Sequence, residues 1–106
     1  MLVNADLHIH SRFSGATSES MTIKKIAREA PKKGIDIVAS GDCLHPGWQK
    51  EIRSCEKVDE GTYELEGTRF ILSTEIEDKN RVHHLLFFPS FSSVEEFRSK
   101  VERFSS

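Results

Sequence analysis

Ile35-Asp36-Ile37-Val38-Ala39-Ser40-Gly41-Asp42 reads as a short apolar strand that stops on a Gly-Asp pair. Before it, Ile23, Ile26, Ala27 and Ala30 recur at helical spacing and predict a helix ended by Pro31 and Gly34. After it, Gly47 to Val58 carries Trp48, Ile52 and Cys55 and predicts a second, weaker helix. Further out, Met1 to Ile9 predicts the first strand. Tyr63-Glu64-Leu65 and Arg69 to Ile76 predict a hairpin turning on Glu66-Gly67. Arg81 to Phe88 is apolar on both faces, as an interior strand would be, and Pro89 ends it. Ser93-Val94-Glu95-Glu96 has the capping-box pattern, and Val94, Phe97, Val101 and Phe104 form the apolar stripe of a last helix. Strands separated by helices in this order predict an α/β fold with a largely parallel sheet.

With 106 residues the chain makes one domain at most. A hydrophobic share of 37% beside 30% charged residues reads as soluble and globular. No apolar run approaches the ~18–20 residues that cross a bilayer, and the first residues lack the basic and apolar segments of a signal peptide. A cytoplasmic location without membrane association is expected. Cys43 and Cys55 are then free thiols by default, and their spacing fits no zinc finger. The net charge of −2 argues against non-specific nucleic-acid binding over the whole surface.

In sheets of this kind chemistry collects at the carboxyl ends of the strands. The first strand ends in Asp6-Leu7-His8-Ile9-His10-Ser11, where alternation puts Asp6, His8 and His10 on one face. Same-face neighbours lie roughly 6.5–7 Å apart, so two imidazoles can meet at one metal ion if the chain then turns away. The next strand ends in Ser40-Gly41-Asp42-Cys43-Leu44-His45, and the one from Arg69 ends in Thr74-Glu75-Ile76-Glu77-Asp78. The last strand, from Arg81, carries the adjacent pair His83 and His84, only one of which can face such a site.

Blander readings stand beside these. Asp42 after Gly41 also suits a plain turn, and His45 before Pro46 a plain loop. Glu77 and Asp78, next to Lys79 and Asn80, resemble a solvated turn. Cys43 reads as a small buried residue and Trp48 as packing. Arg12 can grip a phosphate or face water. Mixed imidazole and carboxylate donors suit zinc, manganese or iron, and more than one ion in a complete site. Glu75 has two oxygens with which to bridge ions, and Asp6 can orient a ligand from behind.

Asp6 to Ser11, Ser40-Gly41-Asp42, Thr74-Glu75-Ile76-Glu77 and His83-His84-Leu85-Leu86 resemble the successive motifs of the PHP (polymerase and histidinol phosphatase) superfamily. The resemblance implies the N-terminal half of a distorted β/α barrel over residues 1–106, with a cluster of zinc, manganese or iron ions that hydrolyses phosphoesters. Gly41 to Pro46, Val58 to Tyr63, Arg81 to His84 and Phe87 to Ser90 are most similar to a branch of DNA-repair endonucleases that nick 5′ of deaminated bases. Carried over by motif, His8, His10, Asp42, Glu75 and His84 are the expected metal ligands. Glu75, Asp42 and Arg12 are the expected catalytic groups.

The sequence departs from the family pattern in two places. Arg12 to Glu19 lacks the histidine that many members carry there, and nothing after His84 is a histidine. A β/α barrel takes ~200 or more residues, so this chain corresponds to about half of one. The expectation is a fragment with partial metal affinity and little activity alone, able to form a homo-oligomer that covers its open sheet edge. A phosphatase of the histidinol-phosphatase type and a non-catalytic metal-binding or assembly module are the alternatives. The partner expected of a full-length relative is deaminated DNA.

Overall fold

The computed structural model describes residues 3–7, 9 and 21–104. The elements run β1 (Ala5–Asp6), α1 (Ile23–Glu29), a 3-10 turn (Pro31–Lys33), β2 (Ile37–Ala39), α2 (Pro46–Arg53), β3 (Glu56–Asp59), β4 (Thr62–Leu65), β5 (Thr68–Glu77), β6 (His83–Phe88) and α3 (Phe91–Phe104).

The described strands form one six-stranded sheet in the order β1-β2-β5-β4-β3, with β6 also paired to β5. Only β1, β2 and β5 run parallel. β3, β4 and β6 are antiparallel to their neighbours, so the sheet is mixed where the sequence predicted a largely parallel one. The cause is local: the β3–β4, β4–β5 and β5–β6 connections are all too short for a crossover helix and so reverse the chain. β5 is the hub of the sheet. Residues 68–71 pair with β4, and residues 72–77 continue beside β6. Gly61 in the β3–β4 turn lies against Pro89 just after β6; a β-carbon there would meet the Pro89 carbonyl at 2.6 Å. β4 and β6 therefore lie end to end along one edge of β5.

The α1 helix is capped at its start by Thr22, whose hydroxyl accepts the Lys25 N–H at 3.1 Å. Its inward residues Ile23, Ile26 and Ala27 are buried. Gly34, at φ 72°, closes the 3-10 turn that follows. The second helix stops at Arg53, capped by Ser54, and the predicted tail up to Val58 is β3 instead. All four β3 residues are exposed, so no apolar alternation announces the strand. The last helix begins at Phe91, and its cap is Ser90, whose hydroxyl accepts the Ser93 N–H at 3.2 Å. Ser93, expected as the cap, is already inside the helix.

The core lies on one side of the sheet. Val38, Phe70 and Tyr63 are neighbours across three strands, hence on one face, and Leu72 follows two residues on. Against them pack Ile23, Ile26 and Ala27 of α1, Trp48 and Ile52 of α2, and Phe91 and Val94 of α3. Each large side chain fully buried here contributes roughly 1.5–3 kcal/mol. Thr68 donates its hydroxyl to the Ala27 carbonyl at 2.8 Å, tying α1 to the start of β5.

The opposite face carries no helix among the described residues. Leu85 and Phe87, on that face of β6, are 40% and 47% exposed. β6 was predicted as an interior strand; among the described residues it pairs with β5 alone and is an edge. Its apolar residues on both faces remain as expected, but one of those faces is bare. No described helix is long and apolar enough to cross a membrane.

Candidate functional site

The carboxyl ends of β1, β2 and β5 point to one edge of the sheet, and β6, running the other way, starts there. In the β5–β6 ladder Glu77 pairs with His83 and Glu75 with Leu85. Glu75, Glu77 and His83 therefore share the helix-free face, whereas His84 opposes Ile76 on the other. The Glu75 Oε1 is in direct contact with the His83 Nδ1. Glu75 is the more enclosed partner, its side chain 19% exposed against 60% for His83.

The expected ligand His84 is occupied elsewhere. Its Nε2 lies 3.0 Å from the Asp78 Oδ2, at the turn between the strands. That hydrogen bond, helped by the Val82 and Asn80 amides, holds the Asp78 carboxyl below its ordinary value. Asp78 is thus the anchor of the β5–β6 turn, as its position beside Lys79 and Asn80 implied. The imidazole brought to Glu75 is that of His83, and the sequence alone did not select it. Parity was the missing signal: in this hairpin paired positions sum to an even number, so Glu75 shares its face with odd-numbered residues of β6.

Asp42 follows β2 in a left-handed conformation, φ 43°, directly after Gly41 at φ 64°. The turn around it is held from several sides. The Gly41 N–H donates to the Ser73 Oγ at 2.8 Å, and the Cys43 N–H donates to the Ser73 carbonyl at 3.0 Å. The Ser73 N–H in turn donates to the Ser40 Oγ at 3.1 Å. From α2, the Trp48 Nε1–H donates to the Ser40 carbonyl at 2.9 Å, and the Gln49 side-chain amide to the Cys43 carbonyl at 2.8 Å. Trp48 is packing, as expected, and also a clamp. Gly41 lies so close to Ile9 that a β-carbon would come within 2.6 Å of the Ile9 carbonyl. The turn bearing Asp42 is therefore wedged between Ile9 and Ser73, two residues ahead of Glu75.

Two other expectations are settled by local contacts. His45 is the cap of α2, its Nδ1 accepting the Gly47 N–H at 3.0 Å. Cys43 is fully buried, and burial pushes its thiol up to about 12, which disfavours the thiolate a metal would need. Cys43 and Cys55 are both free. Asp6 shares the face of Val38 and lines a cavity of about 570 Å³ with Ile9, Lys25, Ile26 and Lys33. The strand β1 spans Ala5–Asp6, and the predicted alternation through His8 and His10 lies outside the described residues. His8, His10 and Arg12 lie outside the described residues.

Among the described residues, no three histidine, cysteine, aspartate or glutamate side chains gather closely enough to hold a metal ion. What they supply is a carboxylate and an imidazole in contact, Glu75 and His83, with Asp42 on the neighbouring strand end. Nitrogen and carboxylate donors are the chemistry of zinc, manganese and iron, so the donor types fit such an ion.

No family model matches the chain. The lesion-specific endonuclease PfuEndoQ from Pyrococcus furiosus superposes on all of it with a TM-score of 0.95 and 50% identity. The chain is similar to endonuclease Q. A second solved structure, endonuclease Q with a 27-mer duplex substrate bearing an abasic lesion at the active site, gives a TM-score of 0.94 at 50% identity. In both cases this chain covers 27% of the endonuclease Q chain. An uncharacterized protein of Methanocaldococcus jannaschii is 46% identical over 105 residues, 99% of this chain and 12% of that protein. The chain thus spans well under a third of the relatives it matches.

Proposed function

We propose that this chain is part of a PHP-type, metal-dependent phosphoesterase of the endonuclease Q kind, whose substrate is damaged DNA. The observation that carries the reading is the 50% identity and 0.94 TM-score over the whole chain to an endonuclease Q that holds a lesion-bearing duplex. The one-sided sheet also supports it, because half of a β/α barrel leaves its inner face open. In this reading Glu75, Asp42, His8 and His10 hold the metal, and His83, on the Glu75 face of β6, completes the donor set in place of His84. A divalent ion bound there supplies Lewis-acid activation of water and stabilises charge on the phosphoryl oxygens. Glu75 is kept oriented by His83, and Arg12 provides a guanidinium fork for a phosphate. The bare face is where either the remainder of a longer chain or a second copy docks.

The test is a chimera in which this chain replaces the matching 27% of PfuEndoQ. Nicking of a duplex with a deaminated or abasic site is expected from the chimera. The same chimera carrying His8→Ala and His10→Ala should lose both nicking and most bound metal by elemental analysis. A folded chimera that takes up metal and cuts no lesion would remove the reading.

A further inference from the structure

Ser73 has an unusual number of tasks for a strand serine. It is 2% exposed. Its hydroxyl accepts the Gly41 N–H, its carbonyl accepts the Cys43 N–H, and its own N–H donates to the Ser40 hydroxyl. These bonds reach residues immediately before and after Asp42, and they come from a position two residues ahead of Glu75. On the far side the same turn abuts the carbonyl of Ile9, the residue between His8 and His10 in sequence. One serine on β5 thus fixes how the turn after β2 stands relative to β5, and that same turn abuts Ile9.

The hydroxyl of Ser73 is not interchangeable with a ladder bond. β2 and β5 pair regularly only as far as Ala39 and Ile71. Beyond that point the backbone of residues 40–43 leaves the ladder through the left-handed pair Gly41 and Asp42. Left-handed backbone costs a residue with a β-carbon roughly 1–2 kcal/mol and persists only where its surroundings hold it. Here the surroundings are Ser73, Trp48 and Gln49.

We infer that Ser73 is a positioning residue: it holds the Ser40–Cys43 turn, and so keeps Asp42, an oxygen donor for a divalent cation, at the sheet edge where β5 carries Glu75. The inference rests on the metal-site reading above. Loss of a hydrogen bond that orients a metal ligand typically weakens affinity by roughly 10-fold to 100-fold.

The experiment compares the intact chain with Ser73→Ala and Ser73→Thr by zinc titration calorimetry and by amide hydrogen exchange without metal. Ser73→Ala is expected to weaken zinc binding at least ~10-fold, with Ser73→Thr, which keeps the hydroxyl, restoring it. It should also speed exchange at Gly41, the amide whose acceptor is deleted, while Ile37–Ala39 stay protected. Equal zinc affinity in Ser73→Ala and the parent would overturn the positioning role and leave the metal site standing. If the parent takes up no zinc, the metal-site reading fails and takes the donor role of Asp42 with it. The exchange data then decide the clamp alone, and unchanged Gly41 exchange would overturn that as well.

Discussion

Cys43 sits in the middle of the candidate site's most tightly held turn, yet it is inert. Its thiol is fully enclosed, and its pKa is raised to about 12 by burial, which outweighs an opposing backbone hydrogen bond; the neighbouring Asp42 charge adds a smaller upward push. An unfolded cysteine titrates near 9, so the folded chain favours the protonated form. The stability this brings is complete below pH 9 and is lost as pH rises from 9 towards 12, by about 1.4 kcal/mol per pH unit. Alkaline denaturation followed by circular dichroism should therefore show a falling midpoint above pH 9, and Cys43→Ala should flatten that fall. A variant with the same slope as the parent would mean that another group titrates there. At this scale the sequence was only partly informative. Cysteine after Asp42 suits a buried filler and also admits a soft ligand, and the difference is made by Ser73, distant in sequence, and by Gln49 on the following helix.

Individual elements were legible wherever a local pattern and a local stop signal agreed. Ile23, Ile26 and Ala27 with Pro31 defined α1 and its end, and Gly34 the end of the 3-10 turn after it; Glu66-Gly67 defined the β4–β5 turn; Pro89 ended β6. The α2–β3 boundary was not legible. Neither proline nor glycine separates Arg53 from Glu56, and the strand that follows exposes every side chain. Nor could the interior or edge position of His83–Phe88 be read, since apolar residues on both faces serve either place. The choice between His83 and His84 followed from the length of the turn between Glu77 and His83, which alternation within one strand cannot supply. The caps are the testable part of this scale. Thr22→Ala removes the bond to the Lys25 amide and should cost about 1 kcal/mol in urea unfolding, with the denaturant slope unchanged. No loss would mean that the end of α1 is held by its packing alone.

For the molecule as a whole, the decisive fact is asymmetry. Three helices cover one side of the sheet, and the other presents Leu85 and Phe87 beside the Glu75–His83 pair. A sheet edge with exposed apolar residues is a template for association. Light scattering should show mass rising above the 12.1 kDa monomer with concentration, and Leu85→Lys with Phe87→Lys should return it to monomer. A parent chain that stays monomeric at high concentration would show that this face is stable in water unaided. The length of a β/α barrel implied an open edge, and the apolar run Leu85 to Phe88 was the stretch expected to be left open to partners.

The hub position of β5 also imposes an order of assembly. Its pairings with β4 and β6, and that of β3 with β4, join neighbours in the chain through short turns. Its pairing with β2 closes a loop of some thirty residues, as does that of β1 with β2. Loop closure costs entropy before any long-range contact repays it, so the meander from Glu56 to Phe88 forms early and β1–α1–β2 docks late. Glu75 and His83 belong to the early unit, and Asp42 to the late one. Asp42 therefore reaches the sheet edge of Glu75 and His83 only after the slowest pairing is complete, and a newly made chain passes through a stage in which it is folded around β5 while that edge is still unassembled.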